Sequence, residues 1–414
     1  MTRTHFAAQA AACRDRLVAA AQALIAVPSP NPPGDTSACA EAAAALIRAM
    51  IPTAEVTLHA TSDTVTNLVA RVHGNAPGRR IILNGHLDTY PVNEALGWTV
   101  PPLGGLVRDG RLYGRGATDM KGGIAASITA LALLAEHPAL WRGEAVLTLA
   151  GDEESMGPLG TQWLLENIPH AVGDAVIIGD AGSPRVLRFG EKGFLWIEVE
   201  AVGRASHGAH VHLGINAVDR LCAALDAVRG LRALRPESPP AVTAAIAAAK
   251  PISEPLSGAG ESETLSNVTV NIGRIEGGTS LNLMPASARA GADIRLPIGI
   301  SCATAEAALA AALAPIKGVS HRILRRFESS FTDPGHEIVR RAAAAAAEVL
   351  GAPCAVNMRV GGSDARLFRM AGLPTIVYGP TPNAMGAADE YALIEELVQV
   401  ARVQALTALD FLAA

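Results

Sequence analysis

Arg80-Ile81-Ile82-Leu83-Asn84-Gly85-His86-Leu87-Asp88 begins as a short apolar β-type run and ends in side chains with chemistry to offer. A buried parallel strand ends at a site in this way. Its apolar residues fill a sheet covered on both faces, and the polar residues that follow emerge at the carboxyl end, where open α/β sheets bind ligands. The pattern occurs twice more downstream. Residues 144–149 form a strand-like run leading into Gly151-Asp152-Glu153-Glu154, and residues 175–178 lead into Gly179-Asp180. Three strands that deliver imidazole or carboxylate groups at the same kind of end predict an α/β sheet with one convergent site.

Around these strands the apolar residues of 8–26 and 36–50 fit a helical period, on either side of a proline-rich loop at 28–34. A β-type run covers 67–72, and 107–113 contains Arg108-Asp109-Gly110-Arg111, a hairpin signal. Asp119 leads into a helical stretch at 122–135, and a further helix covers about 159–166. Near Phe194 the texture changes. Residues 194–200 alternate, a helix follows at 215–228, alternation returns at 268–272 and 288–294, and 303–314 is helical. That order is the order of a small α+β domain. Strand and helix alternation resumes after Phe331, with 338–350 helical and 375–378 a buried strand. The expected organisation is an α/β domain made of 1–192 and 328–414, split by an inserted α+β domain at 193–327.

The 414 residues are 50% hydrophobic and 18% charged, enough to bury a large core. A net charge of −5 and 4% aromatic residues offer neither the positive charge nor the stacking platforms of a nucleic-acid binder, and no attraction to an anionic membrane. The apolar stretch 124–140 is broken by Glu136, His137 and Pro138, short of a membrane span. Arg14, Asp15 and Arg16 interrupt the Ala-rich start, which reads as an amphipathic helix and not as a signal peptide. Cys13, Cys39, Cys222, Cys302 and Cys354 are scattered and form no C-x-x-C pair, which reads as reduced thiols in a cytoplasmic protein. A small-molecule or peptide substrate is the expectation.

His86 and Asp88, two apart on an extended chain, point to one face, so one can bind a metal while the other supports it. Asp119 fits a metal ligand and equally an N-cap for the helix after it. Asp152-Glu153-Glu154 sets three acids side by side, which repel unless a cation or proton intervenes. A hydrolase uses such neighbours in two ways, one to hold a metal and one to take a proton from water. With Asp119, Asp180 and His86 counted in, a metal site is the better reading. His207, His210 and His212 read either as a zinc cluster or as a polar loop before a helix. Gly361-Gly362-Ser363-Asp364-Ala365-Arg366 reads as a glycine-rich anion-binding turn or as a turn with a surface ion pair.

In this order the segments resemble the metal-dependent family of acetylornithine deacetylase, succinyl-diaminopimelate desuccinylase, aminoacylase and carboxypeptidase G. Asn282-Leu283-Met284-Pro285, Asp293-Ile294-Arg295 and Tyr378-Gly379-Pro380 complete a match running from about Pro28 to Glu396. The resemblance implies a zinc-peptidase-like catalytic domain and an inserted ferredoxin-like lid through which the chain forms a homodimer. It implies one or two divalent metals (Zn, Mn or Co) per chain. His86, Asp119 and Asp180 would hold one, and Asp119 would bridge to a second that Glu154 also binds. Glu153 would be the general base acting on a metal-activated water, with Asp88 supporting the site. His207 of a partner subunit would stabilise the oxyanion, and Asn282, Arg295, Gly362, Ser363 and Arg366 would hold the substrate and its carboxylate.

One position departs from the pattern. In Ala384-Met385-Gly386-Ala387-Ala388-Asp389-Glu390, Gly386 stands where the family carries a histidine ligand of the second metal, so that site is expected to be weaker. The implied reaction is hydrolysis of a linear amide C–N bond in a small carboxylate-bearing substrate, such as an N-acyl amino acid or dipeptide-like compound. The alternatives are a mononuclear hydrolase of an atypical C–N bond, such as a carbamoyl group or an aromatic amine, and a binding relative that has lost turnover.

Overall fold

The computed structural model describes residues 2–93, 95 and 97–413. Helices α1 (Arg3–Ala11), α2 (Arg14–Ile25) and α3 (Ser37–Met50) open the chain. Strands β1 (Glu55–Ala60), β2 (Thr66–His73), β3 (Arg80–His86), β4 (Leu106–Arg108) and β5 (Arg111–Tyr113) follow. Next come α4 (Lys121–Glu136), β6 (Glu144–Ala150), α5 (Thr161–Asn167), β7 (Ala175–Ile178), β8 (Val186–Glu191) and β9 (Gly193–Val202). The middle holds β10 (Ser206–His207), α6 (Ala217–Arg229), α7 (Pro240–Ser257), α8 (Glu261–Ser266), β11 (Thr269–Gly277) and β12 (Leu283–Met284). It continues through β13 (Ser287–Leu296), α9 (Cys302–Leu313) and β14 (Val319–Phe327). The remainder is β15 (Ser330–Phe331), α10 (Glu337–Leu350), β16 (Ala355–Arg359), α11 (Ala365–Met370), β17 (Thr375–Val377), β18 (Tyr391–Leu393) and α12 (Ile394–Leu412).

The large sheet runs β1-β2-β6-β3-β7-β17-β8-β15, with β16 paired to β8. Its centre is parallel: β3 lies between β6 and β7 with the same direction as both, and β17 continues parallel to β7. Consequently the residues after β3, β6 and β7 all emerge at one edge. Behind this sheet α4 is buried from Lys121 to Leu134 and packs between α2 and α12. A central helix of this kind is apolar on every side, and each fully buried Leu or Ile contributes about 1.5–3 kcal/mol. Gly123 and Gly179 let α4 come close to the end of β7: a Cβ at Gly123 would stand 2.0 Å from the Gly179 carbonyl oxygen.

A second sheet, β11-β13-β9-β14, is antiparallel throughout. Its core packs Leu195, Ile197 and Val199 against Leu221 and Leu225 of α6 and Leu309 and Leu313 of α9. Within the same stretch of chain, α7 behaves differently. Its Val242 and Ile246, with Leu265 of α8, join the core of the large sheet, and Arg188 of β8 pairs with Glu261 in a buried contact of 3.0 Å. The chain crosses between sheets as β8, Lys192, β9 and returns beside itself as β14 and β15. Phe327 pairs with Phe194 on one side of the crossing, and Ser330 and Phe331 pair with Glu191 and Gly190 on the other.

The expected single helix over 8–26 is two helices. The chain turns at Ala12, so that Phe6 and Ala10 are buried from α1 while Leu17, Ala20, Ala21, Leu24 and Ile25 are buried from α2. The reading of 119 as a helix cap is also corrected: Met120 precedes α4 and no side chain caps it. Among the described residues, no helix is long and apolar enough to cross a membrane.

Candidate metal centre

His86 ends β3, Asp180 follows β7, and Asp119 stands just before α4, so three separate segments meet where the parallel strands end. One ligand atom from each lies within 4.8 Å of the others. The His86 Nδ1 lies 2.9 Å from the Asp88 carbonyl oxygen. Because a carbonyl only accepts, Nδ1 carries a proton, which leaves Nε2 as the nitrogen that faces Asp119 Oδ1, 3.1 Å away. This is the arrangement of a ligating histidine held by a backbone acceptor. Burial opposes a charge on His86, yet Asp119 and Asp88 hold its pKa well above the ordinary value.

Asp88, fully buried, binds the acidic turn. Its carboxylate accepts the N–H groups of Glu153 at 3.2 Å and Glu154 at 2.9 Å, and the Asn31 amide at 2.9 Å. Of the three consecutive acids, Asp152 turns back to Ser155 and to the Leu159 N–H. Glu153 and Glu154 face the centre. Glu153 Oε2 lies 3.9 Å from His86 Nε2, and its other oxygen lies 4.0 Å from Arg366. Burial first, and then neighbouring carboxylates, push Glu153 up to about 8 and Glu154 up to about 9. Glu154 Oε1 is buried without a hydrogen-bond partner. A ring of buried acids, an imidazole nitrogen facing them and an orphaned carboxylate oxygen suit a divalent cation, and the O and N donors admit Zn, Mn or Co.

The structure places the remaining expected residues in three groups. Arg366 lies over the Phe327 ring at 4.5 Å and Arg295 over the Phe194 ring at 5.0 Å, and these two rings pack together, so both cations flank one aromatic pair. Ser363 is buried and donates to Glu191 at 2.9 Å, beside the half-buried Gly362. His207 and Asn282 form a third group: both are exposed, and β10 pairs with β12 next to them. His207 Nδ1 accepts the Ala209 N–H, and no residue of the centre contacts it among the described residues.

Two residues at the centre were not anticipated. Arg359, at the end of β16, pairs with Asp180. Glu390 is buried; it accepts from Thr118 N–H at 3.0 Å, from the Thr118 hydroxyl at 3.1 Å and from Asp119 N–H at 3.4 Å, and it pairs with Arg115. It thereby fixes the backbone that carries Asp119. The short run 355–359 is interrupted by Asn357, so it carries a weaker strand-end signal than β3.

The model of the peptidase family M20/M25/M40 matches residues 82–410. The chain belongs to this family. Among curated M20 relatives, the succinyl-diaminopimelate desuccinylase of Cereibacter sphaeroides is 31% identical over 362 residues, covering 83% of this chain and 85% of that one. The one from Rhodospirillum centenum is 29% identical over 348 residues, covering 83% of each. Among solved structures, the M20 family metallo-carboxypeptidase Sso-CP2 of Sulfolobus solfataricus matches with a TM-score of 0.77 at 18% identity, over 96% of this chain and 99% of that one. The fold is therefore the M20 fold, and the chain is a metal-dependent hydrolase of the amidohydrolase and peptidase type.

Proposed function

We propose that this M20 hydrolase cleaves a linear amide C–N bond in a small carboxylate-bearing substrate, an N-acyl amino acid or dipeptide-like compound, with Glu153 as general base. The supporting observation is Glu153 itself: a buried carboxylate 3.9 Å from the imidazole of a ligand set to which it does not belong. His86, Asp119 and Asp180, with Glu154 nearby, would hold a divalent metal, which would serve as a Lewis acid toward water and the amide carbonyl. Glu153 takes the proton from the attacking water and delivers it to the leaving nitrogen. Burial raises its proton affinity above that of an ordinary carboxylate, which favours accepting that proton. Arg366 and Arg295, with the Gly362 turn, hold the substrate carboxylate, Ser363 braces the turn against Glu191, and Asn282, which lies beside His207, reaches the substrate together with it. Asp88 keeps the acidic turn and His86 in place.

In this reading the exposed His207 is supplied to the oxyanion by a second copy of the chain, and the homodimer forms through the 193–327 segment acting as a lid. The five cysteines are all free thiols, which fits a cytoplasmic enzyme. Identification of the curated relatives as desuccinylases makes N-succinyl and N-acetyl amino acids the first panel to assay. Glu153→Gln is expected to lower kcat roughly 10²–10⁴-fold while elemental analysis finds the metal still bound. A near-normal rate in that variant would sink the base assignment. Gly386 favours a second reading, a mononuclear hydrolase of a carbamoyl or aromatic-amine C–N bond, which turnover of those compounds and not of N-acyl amino acids would select.

A further inference from the structure

We propose that Tyr90 occupies the place of the missing side chain at position 386, closing the Glu154 end of the centre so that the chain binds one divalent metal tightly, at His86, Asp119 and Asp180. The inference rests on the metal-hydrolase reading and concerns how that centre is built. A Cβ placed on Gly386 would meet three atoms of the Tyr90 ring, Cδ2 at 3.6 Å, Cε2 at 3.9 Å and Cγ at 4.0 Å. The first carbon of a side chain fits there. The ring lies against that carbon and takes up space that a longer side chain would need. Gly386 also has φ +74°, a left-handed conformation that other residues adopt at a cost, and its carbonyl accepts from Arg115 at 3.0 Å, so the backbone is held in that geometry.

The other end of Tyr90 looks toward the acids. Glu154 acts on the phenol more strongly than any other charged group, followed by Asp119 and Glu153, so the hydroxyl end stands near these three carboxylates. A phenol placed there can donate a hydrogen bond to a carboxylate. Glu154 Oε1, buried and unpartnered, is an acceptor on the same side. Thus Tyr90 both fills the space of the lost imidazole and brings a proton donor to the carboxylate that a second metal would need.

The test is metal content per chain by elemental analysis of protein stripped, reloaded with Zn, Mn or Co, and freed of loose metal. The wild type is expected to hold one metal. Gly386→His alone is expected to stay at one because the ring blocks the imidazole, and the double variant Tyr90→Ala with Gly386→His is expected to reach two. Two metals in the wild type, which requires no variant to fold, would overturn the proposal. So would two in Gly386→His alone, or one in the double variant when its melting temperature and circular dichroism show it folded. One metal with no amide hydrolysis would leave this arrangement standing and overturn the substrate reading, whereas no metal at all would overturn both.

Discussion

Glu153 and Glu154 carry the same side chain one residue apart, yet the proposed mechanism gives one the part of a base and the other that of a ligand. Asp88 makes the difference by holding both of their N–H groups, so the turn cannot rotate to exchange them. Glu390 has a comparable task for Asp119, because three of its contacts reach the 118–119 backbone or the Thr118 hydroxyl. Glu390→Ala is therefore expected to weaken metal binding roughly 10–100-fold, measured by chelator competition, although Glu390 touches no metal. Unchanged affinity would mean that the Asp119 loop is held by other contacts. His86 and Asp180 were legible in the sequence because each stands at a strand end, whereas Asp119, ahead of a helix, was singled out as a ligand through the family resemblance. Arg359 and Glu390 were not, since a buried charge paired inside the fold is written with the same letter as a charge on the surface.

At the scale of elements, the close approach of α4 to β7 is what brings Asp119 next to Asp180. A methyl at Gly123 would meet the Gly179 backbone, which has no flexible end to swing aside. Gly123→Ala is expected to cost about 1–3 kcal/mol in denaturant unfolding and to lower metal affinity with it, because the helix start must retreat from the strand. Loss of stability with unaltered metal affinity would show that Asp119 is not positioned by this contact. The parallel strands β3, β6 and β7 could be read from their apolar runs and polar ends. Helix α12 was not read, although Glu395, Gln399, Arg402 and Asp410 recur at a helical spacing along one face, because the residues between them are nearly all apolar and buried. Helices α7 and α8 escaped for a different reason: Pro251 and Pro255 stand inside α7 and argue against a helix from sequence alone.

Across the whole molecule, Lys192 stands where the chain leaves one sheet for the other. Its ammonium donates to the Thr264 and Asn267 carbonyls at 2.5 Å and 2.7 Å, while burial, and after it Arg295, push its pKa down to about 7 from 10.5. Between those two values the unfolded chain holds a proton that the folded chain has released, so the Lys192 contribution to stability rises with pH from about 7 toward 10. Melting curves of wild type and Lys192→Met over that range are expected to diverge in favour of the wild type as pH increases. Parallel curves would show that the lysine stays charged in the fold.

The crossing at Lys192 also determines how force passes through the molecule. Outgoing and returning strands are paired to each other on both sides of it, like the two rails of a ladder. A single strand would behave as a tether, free to swivel and slide. Two hydrogen-bonded rails resist shear, since sliding would break every rung at once, and they yield only by bending or twisting together. The Phe327 ring at the end of one rail lies against Arg366, which reaches Glu153, and Arg325 on the same rail donates to the Ser155 carbonyl at 2.7 Å. The joint is a flexure, and its bending is delivered to the turn that carries the acids.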